Sequence, residues 1–183
     1  TTTQSGNLNL STTEQWGSMD VSQSSQFGVE NTAYIKQSDF NGFGGDKSAS
    51  VFQNGNSNYA YINQYEDYYS VISPVPQSAD IDQIGSSNAT TVYQTGVASL
   101  DASILGDSNT HIVNQRIIAP MSPENAADIA SYGDFNAITL TQAGLGGNQA
   151  DVLQEGDHNA VTLNQARQDG FAMITQSGDN NQL

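Results

Sequence analysis

The sequence predicts an all-β protein: a β-solenoid of about eight strand-turn-strand rungs, stacked cross-β in one domain spanning residues 1–183. Three observations predict it. A Gln-x-Gly-x-x-Asn motif recurs along the chain, and such self-similarity is the signature of a repeat architecture. A second Gln stands 11 residues after the first slot in every copy that reaches that far. Around each motif the side chains alternate with the period of two that marks a strand.

The copies follow one another from the first residue to the last. Gln4, Gly6, Asn9 and Gln15 mark the first, about residues 1–15. Gln26, Gly28, Asn31 and Gln37 mark the second, about 22–37. Gln53, Gly55, Asn58 and Gln64 mark the third, about 49–64, and Gln83, Gly85, Asn88 and Gln94 the fourth, about 79–94. The fifth, about 100–115, keeps Gly106, Asn109 and Gln115 but opens on Ile104. The sixth, about 127–142, keeps Gly133, Asn136 and Gln142 but opens on Ser131. Gln154, Gly156, Asn159 and Gln165 form the seventh, about 150–165, and Gln176, Gly178 and Asn181 the eighth, about 172–183.

With the first Gln as slot zero, slots −4, −2, 0, +2, +5, +7, +9 and +11 share one face of two short strands. In the third copy they hold Ala49, Val51, Gln53, Gly55, Asn58, Ala60, Ile62 and Gln64. Slot +9 holds Thr13, Ile35, Ile62, Val92, Val113, Leu140 and Leu163. At the chain's 13% charged fraction, about eight of the 61 slots would carry charge, and none does. None of the aromatic residues occupies one either. This predicts an interior of small aliphatic, Asn, Gln and Gly residues.

Between slots +2 and +5 the chain must reverse, and Gly at +2 supplies a positive φ without a Cβ clash. Stacked rungs lie about 4.8 Å apart, so eight give a column on the order of 35–40 Å tall. Stacking also satisfies the interior amides, which donate and accept along the column. A lone buried Gln, left unsatisfied, costs roughly 1–3 kcal/mol. Ile104 and Ser131 interrupt one ladder, so that region is expected to be less regular.

The links vary and are expected outside the column. Residues 38–48 are Gly-rich, 65–78 carry Pro74 and Pro76, and 116–126 carry Pro120 and Pro123. Proline in a link breaks no ladder hydrogen bond. These links read as surface insertions, with Tyr65, Tyr68 and Tyr69 as an exposed aromatic cluster suited to lateral contact.

Composition narrows the functions. Four Lys and Arg against 19 Asp and Glu give a net charge of −15, which opposes nucleic-acid and anionic-membrane binding. There is no cysteine, so neither a disulfide scaffold nor a thiolate metal site can form. No window approaches the roughly 20 apolar residues of a spanning helix. No secretory signal stands at Thr1, as in a cytosolic protein or a processed mature chain. Asn and Gln number 18 each, a richness that fits either polar disorder or an ordered repeat; the fixed spacing favours the repeat. The chain starts and stops within rungs and is expected to lack the caps of soluble solenoids. Open edges at both ends would recruit further copies head to tail, a contact that does not close.

Gln26-Gly28-Asn31-Ala33-Gln37 and Gln53-Gly55-Asn58-Ala60-Gln64 closely resemble the curlin repeat of bacterial curli fibres. The resemblance covers nearly the whole chain. It implies a secreted functional amyloid of a bacterium, whose subunit leaves the cell unfolded and polymerises at the surface into biofilm-matrix and adhesion fibres. It also implies a nucleator subunit and outer-membrane export machinery as partners. The Ala slot departs from the family pattern at Ser11, Thr90, His111, Ile138, Val161 and Leu183, and the links are long. Intact Gln slots favour the major fibre subunit over the minor nucleating one.

Competing chemistries find little support. Solenoid hydrolases and lyases need clustered carboxylates, whereas Asp128, Asp134, Asp151 and Asp157 read as a solvated acidic surface. No catalytic residue or cofactor is expected. His111 fills an inward slot as a packed polar residue, and His158 lies in a turn. Gly-Asp pairs at 106–107, 133–134, 156–157 and 178–179 lack the tandem nonapeptide pattern of calcium repeats. A flat outer Thr array for ice binding is also missing. The remaining alternative is a monomeric secreted adhesin using Phe27, Tyr34, Phe52, Tyr59, Tyr61 and Tyr93.

Overall fold

Alternation of small apolar and amide residues on one face, with polar residues on the other, produces strands that bury a single side. The computed structural model describes residues 1–17, 19–39, 46–66, 76–117 and 123–183. Among these residues every regular element is a strand. The odd-numbered ones are β1 (Thr2–Asn7), β3 (Val21–Val29), β5 (Lys47–Asn56), β7 (Gln77–Ile84), β9 (Ala98–Leu105), β11 (Asn125–Tyr132), β13 (Gln149–Glu155) and β15 (Phe171–Ser177). The even-numbered ones are β2 (Leu10–Trp16), β4 (Thr32–Ser38), β6 (Tyr59–Tyr65), β8 (Ala89–Thr95), β10 (Thr110–Ile117), β12 (Ala137–Gly144) and β14 (Ala160–Gln165).

The odd strands form one parallel sheet of eight in chain order, and the even strands a parallel sheet of seven. Each copy therefore gives one strand to each sheet, and the chain winds as a β-solenoid. The eighth copy contributes β15 and a single bridge from Gln182 to Ala160. The described solenoid has about seven turns, with the eighth copy adding β15 to the sheet of odd strands.

Register follows the slots. Gln4, Gln26, Gln53 and Gln83 stand opposite one another through β1, β3, β5 and β7. Ile62, Ile81, Val92, Ile129 and Leu140 are completely buried between the sheets and belong to one continuous core. The interruption at Ile104 and Ser131 does not disturb the backbone: Gln83, Ile104, Ser131 and Gln154 remain paired in register through β7, β9, β11 and β13. The expected irregularity is confined to the side chains, because backbone pairing does not depend on that one residue type.

Of the link prolines, Pro76 immediately precedes β7 and Pro123 lies two residues before β11, while Pro74 and Pro120 lie outside the described residues, as do Tyr68 and Tyr69. Tyr65 ends β6 and is exposed.

Leu140→Ala opens a cavity in the middle of the core and is expected to lower unfolding free energy by about 2–5 kcal/mol. Thr162→Ala, on the outer face of β14, is expected to stay within about 0.5 kcal/mol of the parent. Urea denaturation of both variants checks this.

Candidate functional site

The repeated amides are the chemistry that distinguishes this column. At slot +11 the ladder is continuous: Gln15 Nε2 donates to Gln37 Oε1 at 2.7 Å, and Gln37 to Gln64 at 2.9 Å. Gln64, Gln94, Gln115 and Gln142 continue it up to Gln165, each bond 2.9 Å. From Gln37 to Gln142, the second hydrogen of Nε2 crosses the link side to a backbone carbonyl, as from Gln37 to Val21 at 3.0 Å and from Gln115 to Ser99 at 2.8 Å. Both donors of these buried amides are therefore used. At slot 0 the same bonds join Gln4 to Gln26, Gln26 to Gln53 and Gln53 to Gln83, and resume from Gln154 to Gln176.

The tight arc is held by asparagine. The backbone N–H of Asn31 donates to Asn9 Oδ1 at 3.0 Å. The same bond recurs through Asn58, Asn88, Asn109, Asn136, Asn159 and Asn181. The Asn58 side chain donates onward to the carbonyl of Gly85 at 2.7 Å. Gly55 adopts φ 136°, and a Cβ there would collide with the Gly85 carbonyl. Gly6, Gly28, Gly106, Gly133, Gly156 and Gly178 occupy the equivalent position with positive φ. Two residues later each arc has a second left-handed residue, such as Glu30, Ser57 or His158 with φ of 59°, 56° and 57°. The sequence motif did not mark that position, because its residue type varies.

A second arc repeats this design where the links permit it. Slots −6 and +13 correspond to +5 and +2, so each rung has an internal two-fold resemblance. Asn148 N donates to Asn125 Oδ1 at 3.2 Å and Gly170 N to Asn148 Oδ1 at 3.1 Å, as in the first arc. Gly96 and Gly144 take positive φ at slot +13.

The ladder break at Ile104 and Ser131 explains two departures in the Ala slot. Gln83 Nε2, with no amide above it, donates to Thr90 Oγ1 at 3.0 Å. Below Gln154, Ser131 Oγ lies 2.7 Å from His111 Nε2. Thr90 and His111 thus terminate the interrupted column from across the interior. Burial pushes the His111 pKa down to about 3, which keeps the ring neutral.

No family model, curated protein or solved structure matches this chain.

On the outside, the acids that read as a solvated surface stand in columns. Asp80, Asp101, Asp128 and Asp151 face one another across adjacent strands. Burial first, and then Asp128 and Asp80, raise the Asp101 pKa. Burial first, and then Asp80 and Asp101, do the same for Asp82. A second column caps the tight arc: Ser86 N donates to Asp107 Oδ1 at 2.6 Å, Asp107 N to Asp134 at 2.7 Å and Asp134 N to Asp157 at 2.8 Å. The Gly-Asp pairs are therefore amide caps between rungs. Among the described residues, no three His, Asp or Glu side chains are grouped as a metal site.

The rings lie on outer faces. Tyr34 and Tyr61 stack at 5.4 Å, Tyr61 and Tyr93 meet at 5.6 Å, and Phe27 and Phe52 at 5.8 Å. Tyr59 is exposed beside them. Links do not simply lie outside, however. Asp20, Asp39 and Glu66 surround Lys47, and all four side chains are withdrawn from solvent.

Gln115→Ala removes an acceptor from Gln94 and a donor from Gln142 and is expected to lower unfolding free energy by about 1–3 kcal/mol, as measured by urea denaturation. His111 generates a pH effect. Below its ordinary pKa of 6.5 the unfolded chain binds a proton that the folded chain refuses until about pH 3. Stability is lost across that window as pH falls, at up to about 1.4 kcal/mol per pH unit from this group. The unfolding free energy of His111→Asn relative to the parent should therefore rise between about pH 7 and about pH 4.

Proposed function

We propose that this chain is a structural subunit of extracellular, curli-like functional amyloid fibres on a bacterial surface. One observation carries the reading: the bond from Gln15 to Gln37 is chemically the same as that from Gln142 to Gln165, and the Asn ladder repeats in the same way. Copies with intact Gln and Asn slots are thus complementary to one another, including ones on another molecule. A parallel strand edge with these slots offers backbone groups, Gln donors and Asn acceptors in matching order. Such a heterologous contact extends without closing.

In this reading the Gln, Asn and Gly slots act by fixing register, and no residue is catalytic. The partners are further copies of the chain, with a nucleator subunit and outer-membrane export machinery following from the curlin resemblance. The fibres serve biofilm matrix and surface adhesion. The stacked Tyr34 and Tyr61 ring pair would suit the alternative, a monomeric adhesin.

Diluting the 183-residue chain from denaturant is expected to give thioflavin-positive, sedimenting fibres with a meridional spacing of about 4.7–4.8 Å. Preformed fibres should abolish the lag. Acidification toward the carboxylate range should shorten it, because the raised Asp82 and Asp101 pKa values mean that protons are taken up more readily in the folded column. A clear monomeric solution over days, with the strand signal intact, would reject the fibre reading in favour of the adhesin.

A further inference from the structure

Charge is excluded from the repeat slots, yet charge enters the interior at the link between β4 and β5. Ser38 pairs with Tyr65, so the next residues, Asp39 and Glu66, fall one rung apart on the same side. Glu66 N donates to the carbonyl of Ser38 at 3.1 Å and fixes that placement. Lys47 opens β5 opposite Gln77, with Asp20 on the rung before it. The amine therefore comes from the start of a strand and two carboxyls from strand ends, and they meet inside the second arc. Lys47 Nζ contacts Asp39 Oδ1, with Glu66 Oε1 at 3.6 Å and Asp20 Oδ1 at 3.9 Å. The side chains of Lys47, Asp39 and Glu66 are 0% exposed and that of Asp20 is 2% exposed.

An ion pair is a poor use of this site. One ammonium among three carboxylates, all out of water, carries a large desolvation penalty. Both Asp20 carboxylate oxygens are buried without a hydrogen-bond partner. The arrangement suits a condensation instead. An amine held against a carboxyl is a near-attack pair. A second carboxyl beside the nitrogen can move the proton. Exclusion of water protects the product from hydrolysis.

We propose that Lys47 and Asp39 condense into an intramolecular isopeptide bond, with Glu66 as the proton-transfer group. The ammonium gives one proton to the Asp39 carboxylate. The amine lone pair then attacks Asp39 Cγ and a C–N bond forms. Glu66 takes a second proton from the nitrogen and passes it to the departing hydroxyl. The C–O bond breaks, and water leaves. An ammonium and a carboxylate become one amide and one water, with no oxidant or other co-reactant. The product replaces a buried ion pair by a neutral amide and joins the end of β4 to the start of β5 covalently. This inference is independent of the fibre reading, since it concerns a single folded chain.

Intact-mass measurement on the folded 183-residue chain, followed by protease mapping, tests it. The mass should be one water below that of the sequence, with the loss on a branched peptide joining the Lys47 and Asp39 segments. Lys47→Arg and Asp39→Ala should restore the full mass. Glu66→Gln, which keeps the side chain's shape, should slow formation at least roughly 100-fold. A folded parent chain that keeps its full sequence mass after days would overturn the proposal without help from any variant. So would a water loss carried by a linear peptide, as from a cyclic imide, or a branch at Glu66 or Asp20. Unchanged kinetics in Glu66→Gln would remove the role given to Glu66.

Discussion

A primary amide buried in a dry interior must find partners for two N–H donors and a carbonyl, and parallel in-register stacking is the arrangement that supplies them repeatedly. The rest of this structure follows from that requirement. Within an unbroken ladder a Gln Nε2 spends one hydrogen on the next Gln and the other on a backbone carbonyl, as Gln37 does with Gln64 and Val21. A shift of one residue would turn every amide outward. Register is therefore enforced at each rung by side chains as well as by the backbone ladder. The Asn column does the same for the arcs, where strand pairing gives way to turns.

The break in one Gln column shows how strict the requirement is. Replacing two amides by Ile104 and Ser131 leaves Gln83 and Gln154 facing a gap. The chain answers with Thr90 and His111 from the opposite strand, both in a slot that elsewhere is small or aliphatic. His111 completes the column only while neutral, so the repair carries a pH sensitivity that an amide would lack. Backbone pairing passes through the break unchanged.

Much of this was legible in the sequence because the distances between Gln, Gly, Asn and the second Gln are constant. A constant spacing with period-two alternation fixes both strands and the arc between them. The second arc was illegible, because variable links separate slot +11 from the next copy. Asn fills slot −6 only at Asn125 and Asn148, and the other copies hold different residue types there, so no motif stood out. The Asp80–Asp151 column, by contrast, lies at the constant slot −3 of four consecutive copies and was open to the same register. The group around Lys47 was harder still. Asp20 and Lys47 occupy slot −6 and Asp39 and Glu66 slot +13, but the residue type at both slots changes from copy to copy, so the repeat did not single them out.

The outer acid columns set a limit on how strongly the amide ladders prevail. Adjacent carboxylates about 4.8 Å apart repel by roughly 1 kcal/mol in water, and by a few times that at a partly buried surface. At physiological salt the Debye length is about 8 Å, so each carboxylate feels chiefly its immediate neighbours. Against this, each rung adds Gln and Asn side-chain bonds worth about 0.5–1.5 kcal/mol apiece, besides the backbone ladder and the apolar core. Favourable terms exceed the repulsion, yet by a margin that protons and salt can move. In the tight arc the balance is better still, because Asp107, Asp134 and Asp157 each accept a backbone N–H from the neighbouring rung. Carboxylates placed there hold rungs together with the same oxygens that would otherwise drive them apart, so the chain carries its large negative charge with least penalty where the backbone has donors to spare.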